Sequence, residues 1–167
     1  MTIVDHQIRQ LCRDMGLVEP FDPDMVNPAS IDVTLGSTIL VEGRPGKERW
    51  VEVDIEGGVY SLEPGEFVLA HTAELIRVPP NLECVFNLKS SRGREGFDHL
   101  MAAYIDPGFV GRVTLELVNV NRFHRLTLEH GMRIGQLRFA KVDQIPMRSY
   151  AVTGRYQGDQ GVQESKG

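Results

Sequence analysis

Ile31–Gly36 IDVTLG, Ser37–Glu42 STILVE, Trp50–Ile55 WVEVDI and Glu66–Pro79 EFVLAHTAELIRVP decide the fold. In each run apolar and polar residues alternate with period two, and Gly and Pro clusters separate the runs. Short strands at this spacing build a β-barrel or β-sandwich. Between them, EGRPGKER reads as a charged hairpin tip and SLEPGEF as a Pro-Gly turn ahead of a strand. Further on, ECVFNLK, RVTLELVNV and RLTLEHGMRIGQLRFAKV continue the pattern, the last as two strands around the turn at His130 and Gly131. Upstream, Val4, Ile8, Leu11, Cys12 and Met15 recur at helical spacing, with Asp5 expected as N-cap and Gly16 as the stop. LVEPFDPDMVNPAS, after that helix, reads as a linker.

At 167 residues the chain suits one well-buried core, so residues 1–167 are expected to form a single domain. Residues 154–167, GRYQGDQGVQESKG, carry almost no apolar side chains and read as a flexible C-terminal lid or tail. A net charge of -5 argues against a general nucleic-acid binder. No apolar run reaches the ~18 residues of a membrane span, and MTIVDHQIRQ lacks the apolar core of a signal peptide. The expectation is a cytoplasmic protein without membrane contact. Cys12 and Cys84 stand far apart and read as reduced, buried thiols. His71, His99, His124 and His130 are scattered outside any zinc-site spacing, so each is expected at the surface or with its hydrogen bonds satisfied.

The chemistry concentrates in Lys89–Glu116, KSSRGREGFDHLMAAYIDPGFVGRVTLE. Ser90, Ser91, Arg92 and Arg94 follow a strand, on a loop or the first turn of a helix. Hydroxyls, backbone N–H groups and guanidinium forks there can hold phosphate oxygens; a solvated basic turn has the same composition. IDPGFVG is a turn with Asp106 at its start. Gly108 and Gly111 permit positive φ, and Phe109 can press on a sugar or a base. Strand parity then places Val113, Leu115 and Leu117 on one face and Arg112, Thr114 and Glu116 on the other. Glu116 therefore sits either on a wet face or in a polar pocket.

KSSRGREG, A-x-Y-IDPGFVGRVTLELVN, GMRIGQL and RYQGDQG, in this order, together with PASIDVTLG near the start, resemble the dCTP deaminase family of the trimeric dUTPase superfamily. The resemblance covers essentially the whole chain. It implies a mainly β, jelly-roll-like barrel with an N-terminal helix, assembled as a homotrimer with active sites at subunit interfaces. It also implies a hydrolase that converts dCTP to dUTP and ammonia, with Mg²⁺ bound through the triphosphate and no zinc. By motif position, Glu116 is the catalytic acid, Ser90 and Arg94 lie by the cytosine and the attacking water, and the Ala102 carbonyl helps hold that water. Lys89, Ser91 and Arg94 face the triphosphate, Asp106 the sugar hydroxyl, and the backbone of Thr114 and Leu115 the base. Gln136, Tyr150 and the tail, including Arg155, Asp159 and Gln160, complete the nucleotide site.

Three departures bear on those implications. Asp159 stands where the family often has Gln, and Arg155 where it usually has Lys. An acid beside phosphates needs Mg²⁺ or Arg155 to offset it, or Gln160 to take its place. Met101-Ala102-Ala103 replaces the usual Thr-Ala-Gly in the loop that responds to dTTP, so inhibition by dTTP stays open. The rival readings are a bifunctional enzyme giving dUMP and pyrophosphate, a dUTPase and a non-catalytic nucleotide sensor. A dUTPase fits poorly, because the turn lacks its Asp-Tyr-Arg sequence and the tail has no Phe. The bifunctional enzyme needs the same Asp106 and Glu116 as the simple deaminase.

Overall fold

The computed structural model describes residues 1–100 and 102–167; Met101, one of the departures noted above, lies outside them. Among the described residues fifteen strands, numbered in chain order, form two five-stranded antiparallel sheets and two smaller ones. The first large sheet runs β10 (Phe97–Asp98), β13 (Thr114–Asn119), β7 (Phe67–His71), β4 (Thr38–Glu42), β5 (Trp50–Asp54). The second runs β11 (Tyr104–Ile105), β9 (Leu82–Leu88), β15 (Arg133–Lys141), β3 (Ser30–Thr34), β2 (Val26–Asn27). Ile39, Val68, Leu115 and Leu117 from the first sheet share one buried core with Ile31, Val33, Phe86, Leu137 and Phe139 from the second. Two sheets closed on a common apolar layer are the sandwich that the period-two pattern implies.

The smaller sheets join β1 (Val18–Glu19), β8 (Leu75–Arg77) and β12 (Val110–Gly111), and β6 (Val59–Leu62) with β14 (Leu126–Glu129). β1 and β2 fall inside the segment read from sequence as a linker, where Leu17 and Val18 are buried. The run Glu66–Pro79 is two strands, because Thr72–Glu74 turns out of the first sheet. There the Thr72 hydroxyl donates to the Glu74 carbonyl at 2.9 Å. The Glu74 carboxylate accepts from the Thr34 N–H and hydroxyl.

Helix α1 (Asp5–Met15) buries Ile8 and Cys12, one turn apart, and ends on Gly16 at φ 65. Its N-cap is Val4, with Asp5 as the first helical residue. The Gln7 side chain closes that end by accepting from the Val4 N–H at 3.2 Å. Helix α2 (Ser90–Glu95) starts directly after Lys89, and α3 (Tyr150–Thr153) ends directly before the tail.

Candidate active site

Glu116 owes its setting to strand parity. On β13, Leu115, Leu117 and Asn119 are buried, whereas Thr114, Glu116 and Val118 stand half-buried on the opposite face. Across the ladder to β7, Glu116 lies opposite Leu69 and Val118 opposite Phe67. An acid flanked by apolar neighbours loses hydration, and burial pushes the Glu116 carboxyl above its ordinary value. It is thus neither on a wet face nor in a wholly polar pocket. It sits on the floor of a cavity of about 670 Å³ with a mixed lining.

Three segments wall that cavity. The first is Ala102–Asp106, which crosses from β10 to β11; the second is the Asp106–Gly111 turn. Gly108 takes φ 92 in this turn. Gly111 does not use positive φ; it allows a close approach, since a Cβ there would lie 3.1 Å from the Asp159 carbonyl oxygen. Phe109 packs at 5.6 Å, centroid to centroid, against Tyr150 and still lines the cavity. Among the described residues the Asp106 and Glu116 carboxylates accept no hydrogen bond from another residue's side chain, so both are free for a ligand or water.

The third wall is the tail. The Arg112 N–H donates to the Asp159 carbonyl at 2.8 Å, the Gly158 N–H to the Val110 carbonyl at 2.7 Å, and the Gln163 N–H to the Thr114 hydroxyl at 3.2 Å. Despite its polar composition the tail is therefore docked in this structure, by hydrogen bonds of its backbone and of the Gln157 side chain, which accepts from the Val110 N–H and donates to the Gly108 carbonyl. The partner for the Asp159 carboxylate is not Arg155 but Lys166, whose Nζ lies 3.0 Å away. Lys166 Nζ also sits 4.9 Å from the Tyr156 ring centroid, a cation–π distance.

The cavity gathers Ala102, Asp106, Thr114, Glu116, Tyr150 and Asp159 from the residues read in the sequence. Leu115 keeps its side chain in the core. Ser90, Ser91 and Arg94 are exposed on or beside α2 and do not line it. The Lys89 ammonium is bound to Asp32, a carboxylate only 2% exposed that also takes Asn27 Nδ2 at 2.8 Å. Gln136 accepts from the Ser30 hydroxyl at 2.8 Å on the second large sheet. Arg155 is exposed, and Gln160 lines a second cavity with His71, Glu74, Arg112 and His130.

Of the histidines, His71 is satisfied at Nδ1 as expected and His99 departs from expectation. His71 is buried, with Nδ1 2.9 Å from the Thr72 carbonyl, and burial pushes its pKa down. His99 Nδ1 is buried without a partner among the described residues, its ring edge-on to Phe86. Sequence reasoning also missed Arg49, Trp50 and Phe67, which line the Glu116 cavity from β5, β7 and the hairpin before β5. Only the alternation of Trp50 and Phe67 on their strands signalled them, and alternation does not say which face carries a site.

A family model described as dCTP deaminase-like matches residues 2–142. The chain belongs to that family. The match ends before the tail. A Rhodococcus opacus protein named "dCTP deaminase, dUMP-forming" is 38% identical, over 99% of this chain and 96% of its own length. An Aquifex aeolicus protein of the same name is 35% identical, over 99% and 94%. Among solved structures, the 2'-deoxycytidine 5'-triphosphate deaminase of Agrobacterium tumefaciens superposes with TM-score 0.68 at 27% identity. That superposition covers 84% of this chain and 48% of the Agrobacterium one. A dUTPase from Streptococcus mutans, at TM-score 0.50 and 15% identity, shares the fold alone. The mainly β barrel implied by the motifs is thus the dUTPase/dCTP deaminase fold.

Proposed function

We propose that the chain hydrolyses dCTP to dUMP, pyrophosphate and ammonia, using Glu116 for deamination and Asp106 for cleavage at the α-phosphate. The observation that carries this reading is that both carboxylates line one cavity with no other side chain among the described residues bonded to them, and that Glu116 is held above its ordinary pKa. The name shared by the relatives supports dUMP over dUTP as the released product.

Deamination at C4 needs a water made nucleophilic and a proton carried to the ring and then to the leaving amine. A single carboxylate with a raised pKa does both: ionised, it takes one proton from water and gives it to ring N3; it then takes the second from the new C4 hydroxyl and gives it to the amino group, which leaves as ammonia. Asp106, at the edge of the turn, can accept from the sugar hydroxyl or orient a second water on the α-phosphate. Mg²⁺ belongs to the substrate in this reading, as the counter-ion of the triphosphate.

The donors that stabilise the developing charge, Ser90 and Arg94, come from a second copy of the chain. Their exposure away from their own cavity is what this requires, and exposed Val120, whose N–H donates to the Gly96 carbonyl just after α2, gives apolar area beside them to cover. Three copies in a ring then make three equal sites. The test is to incubate the protein with dCTP and Mg²⁺ and identify products. Pyrophosphate and dUMP support the reading, accumulating dUTP limits it to a simple deaminase, and unchanged dCTP refutes it.

A further inference from the structure

Arg112 serves two neighbours. Its backbone N–H holds the Asp159 carbonyl at 2.8 Å, whereas its guanidinium donates to the Ala73 carbonyl. Ala73 lines the second cavity, of about 470 Å³, and not the Glu116 cavity, so the guanidinium belongs to the second. Among the described residues the half-buried Arg112 forms no ion pair. A guanidinium withdrawn from water without a carboxylate is a donor set for an anion. Two imidazoles line the same cavity. His71 is 5% exposed, and its Nδ1 lies 2.9 Å from the Thr72 carbonyl, which can only accept, so Nδ1 carries the proton. Nε2 has no hydrogen bond among the described residues, yet it is not sealed in the interior as His99 Nδ1 is. Gly36 gives the ring its place, since a Cβ there would lie 2.1 Å from His71 Cε1. The second imidazole, His130, is exposed at the turn between β14 and β15.

Ser37 and Thr38 add hydroxyls, and no Phe, Tyr, Trp or large aliphatic side chain lines the cavity, so it offers no platform for a base. Among the described residues Glu74 is the one acid of the lining. Its carboxylate is already turned to Thr34, accepting from the N–H at 3.0 and 3.1 Å and from the hydroxyl at 2.8 Å. We infer that this second cavity binds a small tetrahedral oxyanion of the phosphate class, held by Arg112, His130 and Nε2 of His71. The site is separate from the proposed reaction and does not depend on it. To donate, Nε2 must gain a proton. Burial opposes that, and nearby Arg112 and His130 oppose it further by repulsion. An anion between the three groups reverses the repulsion, so anion and proton enter together. Gln160 and Gly161 of the tail border the cavity, and Arg112 holds the residue before them. Anion binding and tail docking therefore favour each other, each by the same factor.

Sulfate is the probe, because its charge is constant from pH 6 to pH 8. Its apparent affinity for the full-length protein is read from the rise of melting temperature with sulfate at constant ionic strength. The wild type should show a saturable rise, with affinity at pH 6 tighter than at pH 8 by about 10-fold or more, since a proton is taken up. His130→Ala should weaken sulfate by about 10-fold or more, the worth of one hydrogen bond to a charged group, and leave dCTP turnover within about 3-fold of wild type. Arg112→Gln should abolish the rise. Sulfate should slow proteolysis of the tail in the wild type and not in Arg112→Gln. In Glu116→Gln, dCTP at saturation should leave sulfate bound, as two separate cavities require. No saturable rise in the wild type, equal affinity at pH 6 and pH 8, affinity unmoved by His130→Ala and Arg112→Gln, or displacement of sulfate by dCTP overturns the site. Absence of dCTP turnover overturns the proposed function alone.

Discussion

Glu116→Gln is the perturbation with the clearest consequences. Gln keeps the shape of the side chain opposite Leu69 and removes its ability to exchange a proton. Losing a positioned general acid/base costs about 10²–10⁴-fold, or about 2.7–5.5 kcal/mol of barrier. The same substitution should stabilise the fold at neutral pH. Burial holds the Glu116 carboxyl above its unfolded value. Ionisation therefore disfavours the folded chain, with a penalty absent below the unfolded pKa and complete above the folded one. Gln carries no such penalty. Because Glu116 is only half-buried, the gain is limited to about 1 kcal/mol, or about 2–4 °C for a domain of this size. Ammonia release from dCTP and thermal melts at pH 7 and pH 4 measure the two effects. Turnover within 10-fold of wild type, or a lower melting temperature at pH 7 than wild type, would refute the reasoning.

Other outcomes follow from the same geometry. The acid limb of kcat/KM should fall above the ordinary carboxylate range of about 4.3, because Glu116 must be ionised to take a proton from water and burial delays its ionisation; a pH–rate profile flat down to that range would contradict it. Mixing inactive Arg94→Ala with inactive Glu116→Gln protein, after dissociation and reassembly, should restore about a quarter of wild-type activity if each site joins two copies; no recovery would place the site within one chain. Gly111→Ala puts a Cβ within 3.1 Å of the Asp159 carbonyl oxygen, so the tail should be cut faster by a protease than in wild type. Gly135→Ala puts a Cβ 2.1 Å from the Phe86 ring and should cost about 1–3 kcal/mol in a denaturant melt.

Much of the fold was legible because strands announce themselves by parity. The runs around Val33, Ile39, Val68 and Leu115 became the strands that share the core. β1 and β2 were not legible, since two residues cannot display a period and their segment is dense in Pro and Asp. The split at Thr72–Glu74 depended on a buried acid bonding Thr34, a contact 40 residues away. In the site, the order of acid, turn and strand brought Asp106 and Glu116 to one cavity as expected. Lys89 and Gln136 were read as nucleotide contacts, but Asp32 and Ser30 hold their side chains in this structure. Neither Asp32 nor Ser30 is near its partner in sequence. Asp159, troublesome beside phosphates when read alone, finds its counter-charge in Lys166 at the end of the chain.

The most direct test of two reactions in one cavity is product analysis of dCTP digests with Asp106→Asn beside the wild type. The account predicts dUMP and pyrophosphate from the wild type, and from Asp106→Asn continued ammonia release with dUTP accumulating in place of dUMP. Formation of dUMP by Asp106→Asn at the wild-type rate would contradict it.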